Sequence, residues 1–451
     1  MNEKITIPED ARHILKVLHD AGYEAYVVGG CVRDALLGRE PEDWDITTSA
    51  KPEQVKALFH RTIDTGIQHG TVTVMMHKIG YEVTTYRIDG KYQDHRHPTE
   101  VSFTSDLRED MLRRDFTINA MAYSDETGVV DYFEGQQDLA SGIIRCVGNP
   151  MERFDEDALR VLRALRFAGQ LGFVIEEQTL DAMKKQSVFL KDVSAERIRV
   201  ELTKLLVSKH PQLLMEIGCP TGIVGIVLPE LEQMFATPQN HPHHCYNVGE
   251  HCIKAMTNIE NEPVFRWAAL LHDIGKPKTK TVDENGITHF YKHAYEGAPV
   301  SEQVLRRLKF DNDTMKRVRQ LIYWHDYNWG QSISIRKVRR AMCKIGPEYM
   351  QDLFALQRAD VLAQSDYLKQ EKLAMLDEVI RCYEEVVALG QCVTIKDLAL
   401  NGKDLMEMGM KPGKLMGETL KMLLERVVEE PECNQKEALR AIVEEYMKQM
   451  Q

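Results

Sequence analysis

The sequence predicts an α+β protein, a small mixed-sheet head followed by an extended all-α body. Three observations lead there. Up to about residue 146, short strand-like runs ("AYVVGG", "DWDITT", "GTVTVMM", "YEVTTYR", "GVVDYF") alternate with helical periods such as "EDARHILKVLHDAG" and "KPEQVKALF". From Met151 onward strand patterns nearly vanish, and apolar residues recur at helical spacing in "EDALRVLRALRFAGQLG" and "AERIRVELTKLLV". The 451 residues, 43% hydrophobic and 28% charged, suffice for three or four cores, and Pro/Gly-rich breaks fall at 218–222, 236–244 and 401–414. The expected divisions are a head at 1–146, a helical neck at 147–217, a helical domain at 218–365 and a helical tail at 366–451.

Within the head, "AYVVGG" reads as a strand stopped by Gly29 and Gly30, after which a helix opens with Arg33 and Asp34. "DWDITT" reads as the next strand. Residues two apart on a strand face the same side, so Asp43 and Asp45 present both carboxylates together while Trp44 points to the opposite layer. Two such hard oxygen donors suit Mg²⁺, which can activate an attacking hydroxyl and hold a triphosphate. Glu82, on the later strand "YEVTTYR", is the candidate third carboxylate. Backbone N–H groups at the Gly29–Gly30 turn would then approach phosphates closely, with Arg33 adding charge. A DxD is often only a surface acidic pair, and a double glycine only a turn. Their order here, followed by a strand glutamate, is what points to a site.

This segment resembles the nucleotidyltransferase head of the class II tRNA CCA-adding enzymes and bacterial poly(A) polymerases. The resemblance extends downstream. "RRDFTINAMAY" is similar to the ribose-selecting motif of that superfamily, which implies that Arg114 and Asp115 hold the sugar. "RFDEDALRVLRALRFAGQLGF" resembles the motif in which an Asp and an Arg read the base edge, implying that role for Asp157 and Arg160, with Arg163 and Arg166 following. Spacing of three would make Asp157 and Arg160 neighbours on one helix face, offering acceptors and forked donors to cytosine or adenine. "TGIQHGTVTV" resembles the tRNA-repair branch, and "YRIDGKYQDHRHPTEVSF" the flexible loop that implies competence for the final A. The tail from Leu398 resembles the elbow-binding end of these enzymes, with a helix start near Lys411, Gly413 and Lys414. The resemblance thus implies tRNA, CTP and ATP as partners and Mg²⁺ as cofactor.

A second set of ligand types lies in the α region: "HHCYNVGEHCIKAM", "ALLHDIGKPK", "YKHAYEGA", "YWHD" and "QRADVLAQ". Their order resembles an HD phosphohydrolase domain. The resemblance implies that His251, His272, Asp273 and Asp360 bind one metal, and that His293 and His325 belong to a second metal or a phosphate subsite. Mixed imidazole and carboxylate ligands suit Mn²⁺, Ni²⁺ or Fe, and such a site would activate water against a phosphoester.

Composition narrows the remaining classes. A formal charge of −12 argues against a generic nucleic-acid coat, although eleven Lys and Arg against four Asp and Glu between Ser301 and Lys344 could form a phosphate-tracking stripe. Nine scattered cysteines without a CxxC pair read as reduced thiols. With no signal-like amino-terminal segment and no long apolar run, the expected location is the cytoplasm, away from membranes. Two alternatives remain beside full CCA addition: an enzyme adding only the terminal A, and an HD phosphohydrolase whose head has become an RNA-binding module.

Overall fold

A computed structural model describes residues 4–90, 101–330 and 332–449. The chain forms two compact units, Met1–Pro229 and Glu230–Gln451.

The first unit is built on a seven-stranded mixed sheet. Its strands are β1 (Ala25–Val28), β2 (Ile46–Thr48), β3 (Thr62–Gly66), β4 (Thr71–Met76), β5 (Ile79–Thr85), β8 (Met121–Ser124) and β9 (Gly128–Asp131), in the spatial order β3-β4-β5-β2-β1-β8-β9. A small antiparallel pair, β6 (Arg87–Asp89) with β7 (Val101–Phe103), stands apart. Only β2 with β5 is parallel, in the register Ile46↔Val83 and Thr48↔Thr85; the other pairings of this sheet are antiparallel. Period-two alternation sets that register, because it drives Val27, Ile46, Val72, Val74 and Val83 to the buried side. One backing helix, Glu9–Asp20, buries Ala11, Ile14, Leu15 and Leu18 at helical spacing. Each of its large aliphatics stabilises the fold by about 2 kcal/mol.

After the sheet come the helices Pro150–Glu156, Leu159–Leu171, Glu177–Gln186 and Ala195–Leu206. Leu162, Leu165, Leu202 and Leu205 form their buried faces. A short parallel pair, Ile143–Ile144 with Val174–Ile175, is the one strand feature of this stretch that periodicity did not predict.

In the second unit, the helices Val248–Thr257, Pro263–Leu271, His293–Arg307, Asn312–Trp324, Met350–Leu362 and Lys369–Ala388 enclose a core around Trp267, Leu270 and Leu321. The helices Lys414–Glu429 and Lys436–Gln449 pack over a further cluster that includes Leu400, Leu405, Leu423, Val427 and Leu439. One hairpin, Thr281–Val282 with Thr288–His289, interrupts the helices. A mixed-sheet head followed by a helical body is therefore the fold, as expected.

Three local expectations differ from the structure. Strand β2 begins at Ile46, so Asp43, Trp44 and Asp45 all lie in irregular chain before it; Pro41 and the acidic run around it supply no ladder partners. The helix expected from Asp157 starts at Leu159, because Asp157 takes an extended conformation (φ −142°, ψ 101°) and its carboxylate accepts from Leu159 N at 3.1 Å. The basic residues of 301–344 do not form a free stripe. Arg307 pairs with Glu230 at 2.7 Å, Arg317 with Asp352 at 2.7 Å, Arg319 with Glu302 at 3.1 Å, and Arg336 and Arg340 both with Glu429. Most of those acids sit far away in sequence, where a local charge count cannot see them. The expected flexible loop falls largely on residues 91–100, outside the described residues.

Candidate functional site

In the head, Val28 N donates to Asp45 O at 2.9 Å, one residue ahead of the Ile46↔Val83 pair. The parallel register therefore sets Asp45 level with Glu82 on the face opposite the core, and both side chains are exposed. Asp43, two residues back and also exposed, belongs to the irregular segment. Although Asp45 is accessible, the protein packed around its carboxyl raises its pKa, and the charges of Glu82 and Asp43 raise it further while Arg114 lowers it. The three acids share one neighbourhood but do not close into a set within 4.8 Å among the described residues.

The glycine turn passes against an arginine. Gly29 has φ 81° and ψ −126°, its N–H donates to Met121 O at 3.1 Å, and a Cβ there would lie 3.1 Å from Arg114 Nη1. Only glycine adopts this backbone readily. Gly30 begins the helix Gly30–Leu36. Arg33 is already engaged by protein groups: it forks onto Asp34 at 2.9 and 2.7 Å, donates to Asn119 Oδ1 at 2.7 Å, and lies 5.0 Å from the Phe167 ring centroid. Arg114 differs. Its Nε is buried with no acceptor, and its nearest carboxylate oxygen, on the fully buried Asp110, is 3.5 Å from Nη2. Burial lowers the Arg114 pKa against the opposing pull of Asp110.

Asp115 is buried with both oxygens engaged. One accepts from Phe116 N at 2.8 Å and Asn119 Nδ2 at 3.1 Å; the other accepts Arg163 Nε at 2.7 Å and Nη2 at 2.6 Å. Burial works against its charge, but Arg163 and Asn119 outweigh it and hold the carboxyl far below the ordinary range. Arg166 binds Glu201, donates to Gln170 at 2.6 Å and sits 3.8 Å over Phe167. Asp157 is clasped by Arg197 at 3.2 and 2.7 Å, whereas Arg160 donates to Glu156 at 2.7 Å and to Arg113 O at 2.8 Å. The expected base-reading pair is thus held by two separate sets of partners.

The second unit brings together all six of its expected ligands. His251, His272 and Asp360 form one group within 4.8 Å, and Asp273, His293 and His325 another. Asp273 stands between them: Oδ2 lies 3.3 Å from His272 Nε2 and 3.6 Å from His251 Nε2, while Oδ1 lies 3.3 Å from His293 Nε2 and 3.6 Å from His325 Nε2. His251 Nε2 is also 2.9 Å from Asp360 Oδ1. Behind the cluster, Nδ1 of His272, His293 and His325 faces the carbonyls of Ala269, Phe290 and Ile322 at 2.8, 2.8 and 2.7 Å. A carbonyl only accepts, so Nδ1 carries the hydrogen and Nε2 turns its lone pair inward.

Two Nε2 pairs therefore face each other, His251 with His272 at 3.3 Å and His293 with His325 at 3.1 Å. The His293 and His325 lone pairs so close call for a positive charge between them, and with the facing carboxylates the donor set fits a divalent transition metal. Lys276 Nζ lies 2.6 Å from Asp273 Oδ2, but off the line of a hydrogen bond, so that buried oxygen lacks an aligned donor. Burial opposes the Asp273 charge, yet the Lys276 ammonium keeps its carboxyl well below the usual range.

Residues 25–145 match the family described as Poly A polymerase head domain, residues 172–235 the probable RNA and SrmB-binding site of polymerase A, and residues 287–443 a tRNA nucleotidyltransferase domain 2. The CCA-adding enzyme of Ligilactobacillus salivarius is 36% identical over 96% of this chain and 96% of its own length. That of Limosilactobacillus reuteri is 36% identical over 98% and 97%. The chain belongs to the CCA-adding enzyme family. A solved CCA-adding enzyme from Bacillus stearothermophilus, in complex with CTP, superposes with a TM-score of 0.70 at 28% identity over 99% of each chain. A Thermotoga maritima CCA-adding enzyme with tRNA shares the fold, with a TM-score of 0.58 at 22% identity over 99% of this chain.

Beside the family motifs, several residues of this CCA-adding enzyme family member escaped the sequence reading. Asn119, Arg197 and Glu201 fix the orientation of Arg33, Asp157 and Arg166. Of these, Asn119 alone lay inside a recognised motif. Lys276, His244 and Lys372 line the cleft at the histidine cluster. Lys276 follows Asp273 by three residues on the same side of a turn, a spacing that marks a partner; for Lys372 no local signal exists.

Proposed function

We propose that the chain adds CMP, CMP and AMP from CTP and ATP to the 3′ end of tRNA. The carrying observation is the meeting of the Asp45–Glu82 edge with Arg114 beside the Gly29 turn, in a chain whose full-length relatives are CCA-adding enzymes. Asp43, Asp45 and Glu82 are oxygen donors in one neighbourhood and fit Mg²⁺. When bound there, Mg²⁺ would lower the pKa of the terminal ribose hydroxyl and screen the triphosphate.

The hydroxyl oxygen bonds to the α-phosphorus, the bond from that phosphorus to the bridging oxygen breaks, and pyrophosphate leaves. The hydroxyl proton leaves to water, while Asp43 and Asp45 would hold the ion that acidifies that hydroxyl. Arg114, with a spare buried donor, binds the sugar and its phosphate, while Asp115 positions Arg163. Base choice falls to Asp157 and Arg160, whose planes Arg197 and Glu156 hold. The segments 147–217 and 366–451 serve as neck and tRNA-binding tail.

Purified protein with tRNA lacking its CCA should add two C residues from CTP alone and the terminal A when ATP is also present. Failure to extend with CTP alone would assign the A-only alternative. Asp43→Ala should abolish both incorporations, and persistent incorporation would end this mechanism.

A second activity is favoured by the histidine cluster of the second unit. We propose a phosphohydrolase site in which His251, His272, Asp273 and Asp360 hold one Mn²⁺, Ni²⁺ or Fe ion and His293 and His325, with Asp273, a second. The metal would supply a more acidic water. Water adds its oxygen to phosphorus, the ester P–O bond breaks, and the leaving oxygen takes the proton. Lys276 steadies the Asp273 charge and faces the incoming phosphate.

A further inference from the structure

Asp110, in the helix Leu107–Leu112 of the head, is fully buried. A carboxylate so placed needs partners on both oxygens, and here each oxygen reaches a different part of the head. Oδ1 accepts from Arg113 Nε at 2.9 Å, from Arg113 Nη2 at 2.7 Å and from Arg87 N at 3.3 Å. Oδ2 accepts from the Thr47 hydroxyl at 3.1 Å and lies 3.5 Å from Arg114 Nη2. The hydroxyl has one hydrogen to give, and its other acceptor, Thr84 O, is farther away at 3.3 Å. Burial works against the Asp110 charge, but Arg113 and then Arg114 outweigh it and hold the carboxyl below the ordinary range.

Spacings of three and four residues would make Asp110, Arg113 and Arg114 an ordinary set of helix-surface ion pairs. Two observations set them apart. Thr47 stands on β2, two residues after Asp45, and Arg87 opens β6, so one buried carboxylate ties together the chain segments that meet at the transfer site. The two arginines also differ in what they present. Arg113 spends its fork on Asp110, whereas Arg114 turns Nη2 to Asp110 and Nη1 to the Gly29 turn, where a Cβ would lie 3.1 Å away. Asp45 also pulls on the Arg114 charge, so a guanidinium released by Asp110 has another acid to turn to.

We infer that Asp110 is a positioning residue of the transfer site: it holds Arg114 by Nη2 so that Nη1 faces the Gly29 turn, and it anchors that arrangement to β2 through Thr47. The inference rests on the transfer reading, in which Arg114 meets the nucleotide sugar. Asp110 itself, shut off from solvent, touches no substrate.

The test measures calorimetric affinities for CTP and 2′-deoxy-CTP, with Mg²⁺ present, in the full chain, Asp110→Asn, Arg114→Ala and the double variant. A site that hydrogen-bonds a substrate hydroxyl rejects the analogue lacking it, so the ratio of the two affinities reads where Arg114 points, and a general loss of stability does not move it. In Asp110→Asn the amide oxygen can keep Arg113, but an NH₂ group then faces Arg114 Nη2, donor against donor. The ratio should fall about tenfold, the loss of one charge-assisted hydrogen bond to the sugar. In the Arg114→Ala background Asp110→Asn should leave the ratio unchanged, because nothing remains to be positioned. Thr47→Val removes only the hydroxyl that fixes Oδ2; it should lower the ratio by a smaller factor, and it carries the test where Asp110→Asn does not fold. An unchanged ratio in Asp110→Asn, or in Thr47→Val if that variant is the one that folds, overturns the inference, as does a fall that persists without Arg114. Extension of tRNA lacking its CCA is followed alongside: no incorporation from CTP or ATP by the unmodified chain removes the transfer reading, whereas incorporation with an unchanged ratio removes only the role of Asp110.

Discussion

Replacing Asp115 with Asn separates two roles that the structure assigns differently from the motif resemblance. The motif implies a carboxylate that touches the sugar, but both Asp115 oxygens are already occupied. Asn can keep Oδ1 for Phe116 N and Asn119 Nδ2, yet it turns an NH₂ group toward the Arg163 donors that stood at 2.7 and 2.6 Å. Two charge-assisted hydrogen bonds are lost, each about 1.5–3 kcal/mol. The Arg163 side chain is 33% exposed and has Glu201 at 3.8 Å, so water and that carboxylate recover part of the loss. About 2 kcal/mol should remain, roughly 30-fold in the local opening equilibrium. Hydrogen exchange of the segment around Phe116 reads this directly, and calorimetry reads CTP affinity. Because the folded pKa of Asp115 is lowered from 3.8, its contribution is complete above that pH and is lost as the pH falls below it. The gap between wild type and variant should therefore close in acid. Unchanged exchange together with weakened CTP binding would refute the positioning role and place the carboxylate on the nucleotide itself.

Gly29→Ala should cost about 1–2 kcal/mol, because its φ of 81° disfavours any Cβ. It should also weaken nucleotide binding by displacing Arg114 Nη1 from 3.1 Å; thermal unfolding and CTP titration check both effects. Asp273→Asn should lower bound transition metal, measured by elemental analysis, and abolish phosphate release while leaving CTP and ATP incorporation intact.

Much of the fold was legible because strand alternation and helical spacing are local signals. β1, β4 and β5 follow their hydrophobic patterns, and the change of period near Met151 marks where the sheet gives way to helices. The exceptions share a cause. Asp43 and Asp157 sit next to strand and helix starts, and boundaries depend on hydrogen-bond partners elsewhere: Asp45 O is engaged by Val28 N, and Asp157 is drawn to Arg197, 40 residues on. The basic count of 301–344 misled for the same reason, since Glu230, Asp352 and Glu429 neutralise it from outside the window.

The two sites also show why residue identity alone could not tell their chemistries apart. Each gathers carboxylates, but the charges are balanced in opposite ways. In the head, the protein packed around the Asp45 carboxyl raises its pKa, and the charges of Glu82 and Asp43 add to that rise against the opposing charge of Arg114. In the second unit, the Lys276 ammonium beside Asp273 holds its carboxyl well below the usual range even when fully buried. That difference in compensation is what distances and burial reveal and a DxD or an HD in the sequence does not.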